Sequence, residues 1–196
     1  MRPKAILGGE IAMARRGDVV ENPITGERIT FLETAGETNG ELLRFKYVLP
    51  PRFSIPEHVH PRQEERHEIL SGTLRGRVAG RERDYGEGER AIGPPGVPHA
   101  WRNPSGDQEL RIVSDLRPAL HLEALIEAGF ALAGDLKADR KKVLKRLPHL
   151  IMLVDEAKHE FYLTAVPRPA RGAFSALLGV LAYVVGRLRY GRRPPL

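Results

Sequence analysis

His58, His60, Glu65 and His99 are the residues of this 196-residue chain whose types and spacing carry chemistry most directly. Three fall in His58-Val59-His60-Pro61-Arg62-Gln63-Glu64-Glu65, and the fourth follows Pro94-Pro95-Gly96-Val97-Pro98. Side chains two apart on a strand share a face, so His58 and His60 reach toward one point. Glu65 can return to that point after a short turn, and His99 can arrive from a second hairpin. Three imidazoles and one carboxylate suit a single divalent transition ion: Mn, Fe, Co, Ni or Zn. A solitary strand histidine is ordinarily a surface or hydrogen-bonded core residue. Four candidates on one metal-binding pattern reverse that reading. Glu64 is the competing carboxylate, and strand alternation turns it away if Glu65 points in.

Two further side chains fall beside these four. His67 shares the face of Glu65 and stands open to several readings: a donor behind the ligands, a proton shuttle, a further ligand, or a core histidine satisfied by a neighbour. Trp101 lies two residues past His99 and faces the same way. With Phe45 and Tyr47 it either lines an apolar pocket for an aromatic or alicyclic substrate or forms plain core. Few arginines are expected to point inward, so nothing in the sequence demands a sugar-phosphate or nucleotide ligand.

The elements that must position these residues read as short strands. Gly26 to Leu32 is a first strand, and Leu42 to Leu49 alternates so that Leu43, Phe45, Tyr47 and Leu49 share a face. The histidine strand follows Pro50-Pro51, Glu65 to Leu70 is the next, and Thr73 to Tyr85 reads as a hairpin turning at Gly80. Leu110 to Ser114 is the last clear strand. Short strands punctuated by glycine and proline argue for a mainly β barrel or sandwich. Beyond Arg117-Pro118 the pattern becomes helical, with an amphipathic helix over 119–133 ending at Gly134 and another over 148–161.

The motifs resemble those of the cupin superfamily. His58-x-His60-x4-Glu65-x6-Gly72 is similar to its first motif, and Gly88-x5-Pro94-x-Gly96-x2-His99-x3-Asn103 to its second. One position departs: where the first motif ordinarily opens on glycine, this chain has Arg52. Many cupins also carry an aromatic residue where His67 stands. The resemblance covers roughly residues 40 to 118. It implies an antiparallel β-barrel or jelly roll with the metal inside, here followed by C-terminal α-helices. The expected organisation is an N-terminal segment (1–39) adding strands, a barrel core (40–117) and a helical extension (118–196), as in single-barrel bacterial cupins. In the family such sites serve dioxygenases, isomerases, decarboxylases and non-catalytic binding proteins, and fold alone cannot choose among them. The leading expectation is a metal-dependent dioxygenase-type oxidoreductase for a small enol, diketone or aromatic substrate, with Glu65 and His67 as its catalytic groups. Tyr47, His67 and Trp101 would contact the substrate. The alternative is a metal-containing small-molecule binding or sensing module whose tail serves dimerisation or attachment.

Composition narrows the partners. No cysteine is present, so disulfides and thiolate metal sites are excluded. The net charge of +6 is uneven: residues 134–196 hold thirteen Lys or Arg against five Asp or Glu, a balance of +8. A basic tail attracts phosphate, nucleic acid or anionic lipid, or is simply a solvated face. No DNA-binding helix pair is recognisable, so no specific nucleic-acid partner is expected. The first ten residues lack a sustained apolar core, which points to the cytoplasm. Residues 173–186 form a fourteen-residue run without a charge, short of the roughly 18–20 residues needed to span a bilayer. Burial in a core or homodimer interface, peripheral membrane contact and a true span compete for it.

Overall fold

The computed structural model describes residues 14–138, 153 and 157–165. Within them the chain forms β1 (Val19–Glu21), β2 (Arg28–Glu33), β3 (Leu43–Leu49), β4 (Ser54–Val59), β5 (Glu64–Ser71), β6 (Leu74–Val78), β7 (Arg81–Tyr85), β8 (Arg90–Gly93), β9 (His99–Arg102), β10 (Leu110–Arg117), α1 (Leu122–Ala138) and β11 (Tyr162–Leu163). Two antiparallel sheets result, ordered β1-β2-β3-β10-β5-β8 and β11-β4-β9-β6-β7. Together they make the expected β-sandwich, with one described helix after it.

Alternation builds the interior. On β5, Glu65, His67 and Ile69 are buried while Arg66 and Leu70 are exposed. On β10, Leu110, Ile112, Ser114 and Leu116 turn inward. Two apolar clusters follow from this period-two pattern. One gathers Ile29, Phe31, Leu43, Phe45 and Leu116, with Leu122, Ile126 and Phe130 of α1 laid against it. The other gathers Leu49, Ile69, Leu74, Trp101, Leu110 and Ile112. Tyr47 touches both clusters. Across β3 and β10, Arg44 and Asp115 are paired in register and joined by a two-pronged ion pair with both N···O distances at 2.7 Å.

Two positions show why local sequence gives these turns. Ala79 (φ +50°) and Gly80 (φ +78°) are both left-handed, as a two-residue hairpin turn between β6 and β7 requires. Arg52 sits at φ +63°, which explains why this motif position ordinarily carries glycine. Its amide donates to Ser105 O at 3.0 Å, so the conformation is pinned by the chain it faces. Arg52→Gly is expected to raise stability by up to about 1 kcal/mol by relieving the left-handed strain. Chemical denaturation should show a higher midpoint; a lower one would mean the arginine contributes more by contact than it costs in backbone.

Several expectations need correction. The helix over 119–133 begins later and runs through Gly134 to Ala138. A single mid-helix glycine costs only about 1 kcal/mol, too little to stop it. The strand over 110–114 extends to Arg117, and β1 was not foreseen at all. The helix over 148–161 does not reach Phe161: Ala157–His159 is a 3-10 turn and the chain is then extended into β11. The apolar run at 173–186 lies outside the described residues. Among the described residues no helix is long and apolar enough to cross a membrane.

Candidate metal centre

The two histidine segments enter the barrel from neighbouring strands, His58 on β4 lying opposite His99 on β9. The register slips between Ile55 and His58, and such irregularities re-aim side chains near functional sites. β4 then ends at Val59, and His58, Val59 and His60 are all buried. Glu65 comes from the facing sheet, where it pairs with Gly93 of β8. Gln63, buried in the intervening turn, donates to Pro118 O (2.7 Å) and Ala119 O (2.9 Å), tying the turn to the chain leaving β10. Glu64 is turned away and paired with Arg66, as alternation required.

His58, His60, Glu65 and His99 each offer one ligand atom, and these four atoms lie within 4.8 Å of one another. Donors on opposite sides of an ion with bonds of about 2.1 Å would be roughly 4.2 Å apart. The cluster therefore needs only small side-chain adjustments to close on one ion. His99 Nε2 is 3.2 Å and His58 Nε2 3.6 Å from Glu65 Oε2. All four residues are buried.

The outer atoms of the ligands decide which nitrogens face inward. His58 Nδ1 is 2.8 Å from Pro56 O, and His99 Nδ1 is 2.7 Å from Val97 O. A carbonyl only accepts, so both Nδ1 atoms carry hydrogen and both Nε2 atoms present lone pairs. His99 Nε2 has no hydrogen-bond partner of its own. His60 makes a backbone hydrogen bond with Glu160, while its Nδ1 is buried without one. Orphaned buried nitrogens are costly unless something unseen satisfies them, and a divalent cation does so.

Glu65 is braced from behind. The Trp101 indole N–H donates to its Oε2 at 2.7 Å, and His67 Nε2 faces its Oε1 at 3.4 Å. His67 Nδ1 meets Ser114 Oγ at 2.9 Å. A lone pair set against a carboxylate would repel, so Nε2 holds the hydrogen and the serine hydroxyl donates to Nδ1. The structure thus brings His67 and Trp101 to the cluster, their rings 4.9 Å apart edge to face. Tyr47 stands apart from it: its hydroxyl donates to Glu27, and its ring meets Phe45 at 5.8 Å and Phe53 at 6.4 Å.

Burial and mutual charge set the protonation states. Burial pushes His60 down to about 4, against the pull of Glu65. Burial lowers His67 too. Burial alone would raise Glu65, but the facing imidazoles of His67, His58 and His99 outweigh it and hold the carboxyl well below its usual range. At neutral pH a carboxylate ringed by imidazoles awaits a cation, and acid competes with the metal for these ligands. A depressed histidine binds its proton more readily unfolded than folded. Its contribution is therefore present above the unfolded value near 6.5 and lost as pH falls toward the folded value of about 4. For His60 that is on the order of 3 kcal/mol. Metal-free protein should lose that stability between pH 7 and pH 4 in urea titrations, and His60→Gln should make the slope shallower, the lowered His67 supplying a slope of the same sign; parallel curves for the two proteins would refute it.

Sequence reasoning missed two residues at the centre. Phe161 lies with its ring 5.2 Å from His58 and 5.5 Å from His60. Glu160, the preceding residue, is buried and accepts from the His121 backbone N–H at 3.0 Å. The alternating Phe161-Tyr162-Leu163-Thr164 pattern was the available signal for a strand.

Comparison with known proteins agrees with this architecture. Residues 45–114 match the sequence family described as Cupin domain. No curated protein sequence matches the chain. Among solved structures, a predicted oxalate decarboxylase from Thermotoga maritima is similar at 19% identity, over 47% of this chain and 80% of that one, with a TM-score of 0.44. An RmlC-like cupin from Shewanella frigidimarina is similar at 21% identity, over 51% and 83%, with a TM-score of 0.44. A Thermus thermophilus protein is similar at 24% identity, over 54% and 90%, with a TM-score of 0.41. The motif positions, the two-sheet sandwich and the domain match coincide on the same stretch: residues 45–114 are a cupin domain, with a buried His, His, Glu, His cluster of the kind that holds a metal ion.

Proposed function

We propose that this protein is a metal-dependent oxidoreductase of dioxygenase type, acting on a small enol, diketone or aromatic oxygenated substrate. The observation that supports it is a buried three-histidine, one-glutamate cluster whose outer atoms are already tied to backbone and side-chain partners. A divalent transition ion held there would supply Lewis acidity toward an oxygen ligand and, if redox-active, a path for electrons to dioxygen. The chain contributes the rest. The inward Nε2 atoms of His58 and His99 are fixed in orientation by Pro56 and Val97. Trp101 holds one oxygen of Glu65, leaving Oε1 on the side of His67. Glu65 would serve as the base, and the His67 Nε2–H facing its Oε1, with Ser114 steadying the far side of the ring, would stabilise the carboxylate form. Behind Trp101, Ile69, Leu74 and Ile112 pack into one buried apolar cluster.

Elemental analysis after purification should give close to one transition ion per chain, and His58→Ala and His99→Ala should carry almost none. Metal content unchanged in both variants would remove the basis of the reading. Oxygen uptake with catechols, flavonols and diketones under Mn, Fe, Co and Ni then tests the reaction itself.

A second reading, a metal-containing binding or sensing module, draws on the Phe161 ring set against two of the ligands, which favours enclosure over turnover. Ligand-induced thermal stabilisation without oxygen consumption would favour it.

A further inference from the structure

We propose that residues 157–165 form a strap that closes the metal centre, and that Phe161 is the side chain governing what reaches it. The proposal deepens the metal reading by naming the residue that controls access. It stands on contacts made by this segment from three directions.

The strap is bonded to the wall that carries the histidines. Tyr162 pairs with Val59 and Leu163 with His58, so β11 lengthens the five-stranded sheet beside β4. Thr164 reinforces the pairing: its backbone N–H donates to Glu57 O at 3.1 Å, and its hydroxyl to Glu57 Oε1 at 2.8 Å. A second anchor ties the strap to the connection between β10 and α1. Glu160 accepts from the His121 backbone N–H at 3.0 Å and from its ring Nδ1 at 2.9 Å, just ahead of α1. Arg62 approaches the same carboxylate at 3.6 Å. Between these two anchors Phe161 lays its ring on His58 and His60, the latter also bonded to the backbone of Glu160.

Such a segment can leave without dismantling the barrel. Its ladder has two residue pairs, against seven between β3 and β10. Short, peripheral pairings open at lower cost than the sheets they border. A closed strap presents an apolar ring to the His58 and His60 side of the ion, which suits monodentate or very small ligands. A chelating substrate with two oxygens needs the ring displaced. Phe161 therefore discriminates by size, and the His121–Glu160 bond sets how often the discrimination is relaxed.

The test uses the full-length chain, its Phe161→Ala variant and its His121→Ala variant, the last altering an anchor remote from the ligands. In metal-free protein, diethyl pyrocarbonate acylation of each histidine is followed by peptide mass mapping. His58 and His60 should react about tenfold faster in Phe161→Ala and severalfold faster in His121→Ala, while His67, deep in the barrel, keeps its wild-type rate. With cobalt(II) bound, EDTA should strip the ion faster in the same order. Wild-type rates in both variants, or a rise that includes His67 in both and so reports general loosening, overturn the strap. A wild-type chain that takes up no cobalt would defeat the metal reading instead, and the acylation rates would still decide on the strap.

Discussion

Gly93→Ala is expected to abolish tight metal binding although no ligand is changed. Gly93 stands on β8 opposite Glu65, and a Cβ built there would meet His99 Nδ1 at 2.9 Å and two ring carbons at 3.0 Å. Those distances lie well inside ordinary contact, so either the ring or the strand must shift. The ring has nowhere to go. His99 is fully buried, bonded through Nδ1 to Val97 O at 2.7 Å, with His58 at 4.4 Å and Trp101 at 5.6 Å between ring centres. Metal–nitrogen bonds tolerate only about ±0.2 Å. Displacing the ring by roughly half an ångström, as ordinary packing distances demand, forfeits that bond. We expect affinity to fall at least 100-fold, beyond the roughly 10–100-fold typical of outer-partner changes, with folding retained. Competition titration with a metallochromic chelator reads this directly. Undiminished affinity would show that β8 gives way and that His99 is not held as described.

Gly76→Ala is expected to be the most destabilising single-methyl change in the barrel. Gly76 of β6 lies directly across from Trp101 of β9, and the added Cβ would fall 2.6 Å from Trp101 Cζ3, 3.0 Å from Cε3 and 3.1 Å from Tyr85 Cε2. The indole is buried among Leu74, Ile112 and Leu110 and cannot swing outward. Overpacking of this kind costs about 1–3 kcal/mol. Moving the ring also strips the N–H from Glu65 Oε2, leaving a buried charged acceptor short of a partner at a further cost of about 1–3 kcal/mol. A total near 4 kcal/mol corresponds to roughly 10 °C in a chain of this size. Metal content should fall with it, because Glu65 loses its brace. Thermal unfolding within about 2 °C of wild type, the size of ordinary surface effects, would contradict the geometry.

The two glycines show where sequence reasoning stops. Residue type and spacing announced His58, His60, Glu65 and His99, because ligand chemistry restricts a site to few side chains and strand alternation fixes which of them converge. The same alternation correctly turned Glu64 outward and gathered Leu43, Phe45 and Leu49 on one face. Nothing in a sequence marks Gly93 or Gly76 as making room for a ring from another strand, since that need exists only once β8 meets β5 and β6 meets β9. Trp101 was legible as an inward neighbour of His99, but not as the donor to Glu65, 36 residues away in the chain. Tyr47 shared the inward face as expected, yet its hydroxyl answers to Glu27 across the β2–β3 pairing. Phe161 was placed at the end of a helix. Leu150, Leu153, Val154 and Ala157 suggested a helical period, which concealed the short extended stretch that follows.

Trp101 is the chain's only tryptophan, and its indole nitrogen touches the carboxylate that would bind the ion. The protein consequently carries a built-in optical gauge. Its ultraviolet emission should be blue, as from any indole sealed away from water. Open-shell cobalt or nickel entering the centre should darken that emission, whereas closed-shell zinc should merely alter its colour. One cuvette, with no label attached, would distinguish an occupied centre from a vacant one and sort one class of ion from the other.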